Sequence, residues 1–221
     1  MIGSLPLLAA DAKLCRDLVA VSVPGDSPGD AETFFANAEA AYRDCSGSGL
    51  SIEIRASAAA NFGFANDIRG NYQTAVAAYG EALAVLENAK AAKPRTVLSV
   101  LDKAVRAELR AGLHSQALAH AERAAELRRS AFGIDSDDAV QGTVSLAMVH
   151  TELKQYDKAE AILQAALASV RKRCSEECRP LAEVYAGFSA FHAAQGNAAE
   201  VSRYEELLLH ATPSPVRKHK D

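Results

Sequence analysis

The sequence predicts an all-α fold of antiparallel helix pairs, on three observations. A block of the chain recurs at a fixed interval of 42 residues, alanine is abundant while tryptophan is absent, and glycine stands where most repeats turn. Four segments align without a gap: NFGFANDIRGNYQTAVAAYGEAL from Asn61, KAVRAELRAGLHSQALAHAERAA from Lys103, SLAMVHTELKQYDKAEAILQAAL from Ser145 and GFSAFHAAQGNAAEVSRYEELLL from Gly187. Their turns fall at Gly70, Gly112, Lys154 and Gly196, and all three intervals are 42 residues. A fixed period of this length marks stacked supersecondary units, each too small to bury its own apolar face.

Each column has a physical reason. Before the turn stand Gly63, Val105, Ala147 and Ser189; after it stand Ala75, Ala117, Ala159 and Val201, then Ala82, Ala124, Ala166 and Leu208. Small side chains at these places let the first helix (A) of a hairpin approach the second (B). Phe62, Leu146, Phe188, Tyr72 and Tyr156 fill the remaining space. Glycine at the turn suits a left-handed helix end, and Lys154 departs from it at a cost of about 1–2 kcal/mol.

These columns carry a family resemblance. The pattern small–x6–Gly–x–Tyr–x2–Ala–x3–Tyr–x2–Ala, held by Gly63, Gly70, Tyr72, Ala75, Tyr79 and Ala82, resembles the tetratricopeptide repeat. The usual period of that family is about 34 residues. The longer interval and the junction AFGIDSDDAV (Ala131–Val140) resemble the variety found in kinesin light chains, with RPLAEVY (Arg179–Tyr185) as a weaker second copy. The resemblance covers about residues 56–211 and implies a right-handed α-solenoid that binds proteins or peptides on a concave surface lined by the A helices.

By that resemblance the groove-facing positions are Asn61, Phe64, Asp67 and Ile68 in the first repeat, and Asp102, Lys103, Arg106, Leu109 and Arg110 in the second. The third contributes Gln141, Val144, Ser145, Met148 and Glu152, and the fourth Glu183. Asn61 matches a family position whose Asn holds a bound peptide backbone, but Lys103 and Ser145 replace it in the next two repeats. Lys103, Arg106 and Arg110 share one helical face. They form either a cationic grip for a carboxylate or acidic peptide, or a solvated face neutralised by Asp102 and Glu108. Phe64 and Met148 are either apolar groove anchors or core residues.

The domain organisation expected is an N-terminal helical cap or degenerate repeat over 1–50, four repeats over 51–211, and a disordered basic tail, TPSPVRKHKD, over 212–221. Within the cap, 10–22 and 30–45 read as helices separated by VPGDSPGD (Val23–Asp30). Ser136 is placed to cap a helix whose first turn holds Asp137 and Asp138, and Pro94 and Pro180 to start helices. The cluster Asp135, Asp137 and Asp138 lacks the Gly and distal Glu of a calcium loop.

Four cysteines form two candidate disulfides: Cys15 with Cys45 across a helical hairpin, and Cys174 with Cys178 four residues apart. Two pairs with no odd cysteine suit an oxidising, extracytoplasmic compartment (periplasmic or secreted), though four reduced thiols of a cytoplasmic protein give the same pattern. Met1–Ala12, MIGSLPLLAADA, reads either as the remnant of a signal peptide or as a frayed helix.

A net charge of −4 with a pI near 5.9 gives no basic field for nucleic acid. No stretch reaches the roughly 20 apolar residues of a membrane span. His150 and His192 share one column without a third ligand, and Ser169-x-x-Lys172 matches a nucleophile motif only as a pair. With no phosphate loop and no zinc motif, the chain reads as a non-catalytic adaptor or scaffold with no cofactor. The alternative is a self-assembling structural module, a homo-oligomer held through an exposed apolar edge.

Overall fold

The structure, a computed structural model, describes residues 12–20, 28–47, 49–89, 92–174 and 178–212. The candidate leader remnant (1–11) and the tail beyond Thr212 lie outside the described residues. Among those described there are ten helices and no strand. They fall into two compact units, one ending at Leu113 and the other beginning at His114.

The first unit holds α1 (Ala12–Val19), α2 (Pro28–Asp44), α3 (Ile52–Ile68), α4 (Tyr72–Glu87) and α5 (Pro94–Arg110). The expected loop Val23–Asp30 is shorter at its C-terminal end, because Pro28, Gly29 and Asp30 already form the first turn of α2. Proline is tolerated there because the first amide of a helix needs no intrahelical partner. α1 and α2 are joined by the Cys15–Cys45 disulfide, with Cα atoms 5.7 Å apart. Both cysteines are fully buried with Ala41, Ile54 and Ala58, so the bridge sits in the apolar seam between the cap and α3. Phe34, Ala38 and Ala65 form a neighbouring cluster.

The second unit holds α6 (His114–Phe132), α7 (Asp137–Glu152), α8 (Tyr156–Arg171), α9 (Arg179–Ala194) and α10 (Ala198–Ala211). Its core joins Ala147, Ala159, Leu163, Val184, Phe188 and Phe191, among others. Tyr204 of α10 stacks on Phe188 with ring centroids 4.7 Å apart. Cys174 and Cys178 are bonded, closing the turn between α8 and α9.

All four predicted turns adopt the same left-handed geometry, with φ of 78° at Gly70, 75° at Gly112, 56° at Lys154 and 73° at Gly196. Each also makes the same two backbone hydrogen bonds. At Lys154 these are Lys154 N to Thr151 O at 2.9 Å and Gln155 N to His150 O at 2.9 Å. The pair satisfies two of the carbonyls that a helix end leaves without partners. Lys154 is the only residue other than glycine with positive φ among the described residues.

The small-residue columns pack as their size requires, except that Val105, Ser189, Val201 and Leu208 are only half-buried. Ala75, Ala117 and Ala159 are wholly buried, and Gly63 lies so close to α4 that a Cβ there would stand 2.9 Å from the Tyr79 ring. The column before the turn is thus a close approach at Gly63 and Ala147 alone. Ser136 caps α7 by accepting from Ala139 N at 3.1 Å. Asp135 accepts from Arg173 through its backbone carbonyl. Pro94 and Pro180 stand in the first turns of α5 and α9.

Candidate functional site

Each unit contains a cleft between successive A helices, and these two clefts are repeat-equivalent. In the first unit α3 and α5 bound a cavity of about 330 Å³ lined by Ser57, Asn61, Ser99 and Lys103 among others. In the second, α7 and α9 bound one of about 300 Å³ lined by Gln141, Ser145, Glu183 and Gly187 among others. Measured from the turn residue, Ser57, Ser99, Gln141 and Glu183 occupy one column, and Asn61, Lys103, Ser145 and Gly187 another. The same surface of the repeat is therefore open twice, with different chemistry.

The first cleft is basic and hydroxyl-lined, through Arg95, Lys103, Ser57, Thr96 and Ser99. Burial, and then the charge of Arg106, holds the Lys103 ammonium below its ordinary pKa. Its Nζ lies 5.5 Å from the centre of the Phe64 ring, a distance at which the ring face attracts a cation. The Asn61 amide donates to the Val19 carbonyl at 3.0 Å, tying the end of α1 to α3. One of its two hydrogens thus serves the fold, not an incoming backbone.

The rest of the expected cationic row is occupied. Asp67, with only 2% of its side chain exposed, accepts from Arg110 Nη1 at 2.8 Å and pairs with Arg106 Nε at 3.5 Å. Neither arginine lines the cleft. In the row Lys103, Arg106 and Arg110, the two arginines are about half exposed and neutralise a buried carboxylate. Phe64 packs on Phe34, with centroids 5.8 Å apart in an edge-to-face pair. Of the fifteen groove-facing positions expected, Asn61, Lys103, Gln141, Val144, Ser145, Met148 and Glu183 line clefts, while Phe64, Arg106 and Arg110 serve packing and pairing. Asp67 carried a readable signal, as the one charge in a column otherwise filled by Leu109, Thr151 and Ala193.

The second cleft has apolar walls from Val144 and Met148 on α7 and from Ala186 and Ala190 on α9. Gly187 lets the two helices meet, since a Cβ there would stand 2.9 Å from Val144 Cγ1 and from Leu163 Cδ2. Glu183 supplies the only formal charge in the lining. Its Oε1 accepts from Arg179 Nε at 3.3 Å, while its Oε2 is shielded from water and accepts no hydrogen bond. Burial raises the Glu183 carboxyl above its ordinary pKa; Arg179 opposes the shift, and Asp137 and Asp138 reinforce it.

The two histidines of the shared column have separate duties. His150 is buried with Nδ1 2.8 Å from Gln155 Oε1, and His192 stacks on Tyr204 with centroids 5.5 Å apart.

Hairpins closed by one repeated turn, with clefts between successive A helices, define a helical-repeat protein. Residues 96–172 match the family model described as tetratricopeptide repeat. The fold is similar to that of BtubC (BKLC) from P. vanneervenii, at 16% identity and a TM-score of 0.58 over 99% of this chain and 78% of that one. It is also similar to a putative kinesin light chain from Podosopora anserina with nearly identical TPR-like repeats, at 16% identity and a TM-score of 0.63 over 90% of this chain and 91% of that one. A point-substituted form of the latter matches equally, at 15% identity and a TM-score of 0.63. At such identities the likeness concerns the fold. No curated protein matches the sequence.

Proposed function

We propose that this chain is a non-catalytic adaptor that binds a protein or peptide in the clefts between its A helices. The tetratricopeptide fold is typically a protein-interaction scaffold. The observation that carries the reading here is the equivalence of the two clefts. Equivalent columns of the A helices line a cleft in both units, while Ala75, Ala82 and Ala159 of the B helices are wholly buried. Packing alone gives no reason to leave the same two columns unfilled twice.

Photocrosslinking tests it. A benzophenone amino acid at Ser99 or Ser145, both exposed in the clefts, should crosslink a second protein in cells. The same group at Thr74 on α4 or Glu160 on α8, exposed on B helices, should not. The recovered partner should then bind the purified chain saturably. Crosslinks only between copies of this chain, together with an oligomeric mass by light scattering, would establish the structural-module alternative instead.

A further inference from the structure

We propose that the cleft between α7 and α9 receives a lysine or arginine side chain of the partner, with Glu183 as its counter-ion. The inference rests on the adaptor reading and gives one of its clefts a ligand chemistry.

Three features of the second unit converge on a long cationic side chain. First, the cleft walls are apolar: Val144, Met148, Ala186 and Ala190 offer methyl and thioether surface suited to a stem of methylenes. Second, Glu183 lies in that lining with Oε2 withdrawn from water and unbonded. A carboxylate oxygen so placed lacks hydration without regaining a donor, and a rotation of the Glu183 side chain toward the cleft brings it to a charged N–H delivered by a ligand. Third, the surrounding field has the right sign. The ionised groups that act on Glu183 are Asp137 and Asp138 from the first turn of α7 and Arg179 from its own helix, so three carboxylates face one guanidinium.

Arg179 is the resident competitor. It holds Glu183 through Oε1 alone, on a side chain that is 74% exposed, in an i,i+4 pair of the kind that contributes little. A ligand cation lodged against the cleft's apolar side chains is shielded on one side and so meets less solvent screening than Arg179 does. The acidic peptide that the row Lys103, Arg106 and Arg110 suggests has no cation in this lining to meet. Any acidic recognition belongs to the Arg95–Lys103 cleft of the first unit.

The chain carries its own reporter, because Met148 is the sole methionine besides Met1. Protein labelled with 13C at the methionine methyl is titrated with three peptides, Ac-Gly-Leu-X-Leu-Gly-NH2, in which X is lysine, norleucine or glutamate. The lysine peptide should shift the Met148 methyl resonance with the highest affinity, norleucine should be weaker, and glutamate weakest. Glu183→Gln should weaken the lysine peptide at least fivefold and leave norleucine unchanged. Arg179→Gln should tighten the lysine peptide about twofold or more by removing the competitor, a gain that a purely structural role for the pair does not produce. Equal affinity for lysine and glutamate, or no loss in Glu183→Gln, overturns the cation assignment and leaves the adaptor reading standing. A Met148 methyl unmoved by all three peptides also overturns the cation assignment, while the adaptor reading falls only if Ser99 and Ser145 crosslink no second protein.

Discussion

Asp67 and Arg110, 43 residues apart, form an ion pair of 2.8 Å in which the carboxylate side chain is 2% exposed and the guanidinium 46%. Removing the arginine leaves a buried anion with only Arg106, at 3.5 Å, to face it. Arg110→Ala should therefore lower stability by about 1.5–3 kcal/mol, the range for losing a hydrogen bond to a charged group. A urea melt measures it. Reversing both Arg106 and Arg110 should cost more, so any affinity lost by that double variant reports folding before it reports binding. An unchanged melting midpoint would mean that water solvates Asp67 adequately.

Lys154 makes the same turn as three glycines, at φ 56°, with a Cβ that disfavours it. Lys154→Gly should relieve roughly 1–2 kcal/mol of left-handed strain and return part of it through the more flexible unfolded chain. The expected net gain is about 0.5–1 kcal/mol. Gly70→Ala should lose stability by a comparable margin. Thermal unfolding of both variants decides it, and a destabilised Lys154→Gly would show that the lysine side chain contributes more than its backbone costs.

Ala159 is wholly buried in one cluster with Ala147 and Leu163, where helix A meets helix B. Ala159→Phe should overpack that seam and cost about 1–3 kcal/mol by chemical denaturation. Full retention of stability would place the seam elsewhere.

The Cys15–Cys45 bridge closes a loop with a sequence separation of 30. Chain-entropy arguments assign such a loop about 3–4 kcal/mol. The paired Cys15→Ser and Cys45→Ser variant should lose much of that, first in the cap, as read by hydrogen exchange in α1 and α2. Native protein trapped with a thiol-blocking reagent should show no free thiol if the chain resides in an oxidising compartment. Four blocked thiols would place it in a reducing one.

What was legible in the sequence was what the repeat dictates locally. The turn register, the left-handed residues, the Ser136 cap and the buried Ala75, Ala117 and Ala159 all follow from one hairpin's own chemistry. Of the cysteine pairs, Cys15 with Cys45 was readable from hairpin geometry and Cys174 with Cys178 from its four-residue spacing. The partners of polar side chains were not. Asp67 pairs with residues a full repeat away, and Asn61 donates to Val19 at a separation of 42 residues. Such contacts depend on how neighbouring hairpins stack, which no local pattern encodes. The row Lys103, Arg106 and Arg110 looked like a binding face because helical spacing reveals who shares a side, not who already faces it. Glu183 was placed on the groove by the family resemblance, but its significance comes from the apolar residues of α7 placed opposite.

Glu183 makes a final prediction about pH. Its carboxyl titrates above the ordinary range in the folded chain, chiefly through burial. A raised folded pKa means that folding favours the protonated form. The associated stability is therefore present below the unfolded value of about 4.3 and is lost as pH rises through the folded value. At neutral pH the ionised carboxylate is a modest cost, only partly offset by Arg179. Glu183→Gln should thus be more stable than the wild type at pH 7, within about 1 kcal/mol because the group remains partly solvated. The difference should shrink as the pH falls toward 4, where the wild-type residue is protonated as well. Affinity for the lysine peptide should move the opposite way in the wild type, falling with pH as the counter-ion is neutralised, while the glutamine variant stays flat. Urea melts and Met148 titrations at pH 7 and pH 4 test both halves. A glutamine variant less stable at pH 7 would mean that the Arg179 pair outweighs desolvation, and Glu183 would then be a structural ion-pair residue.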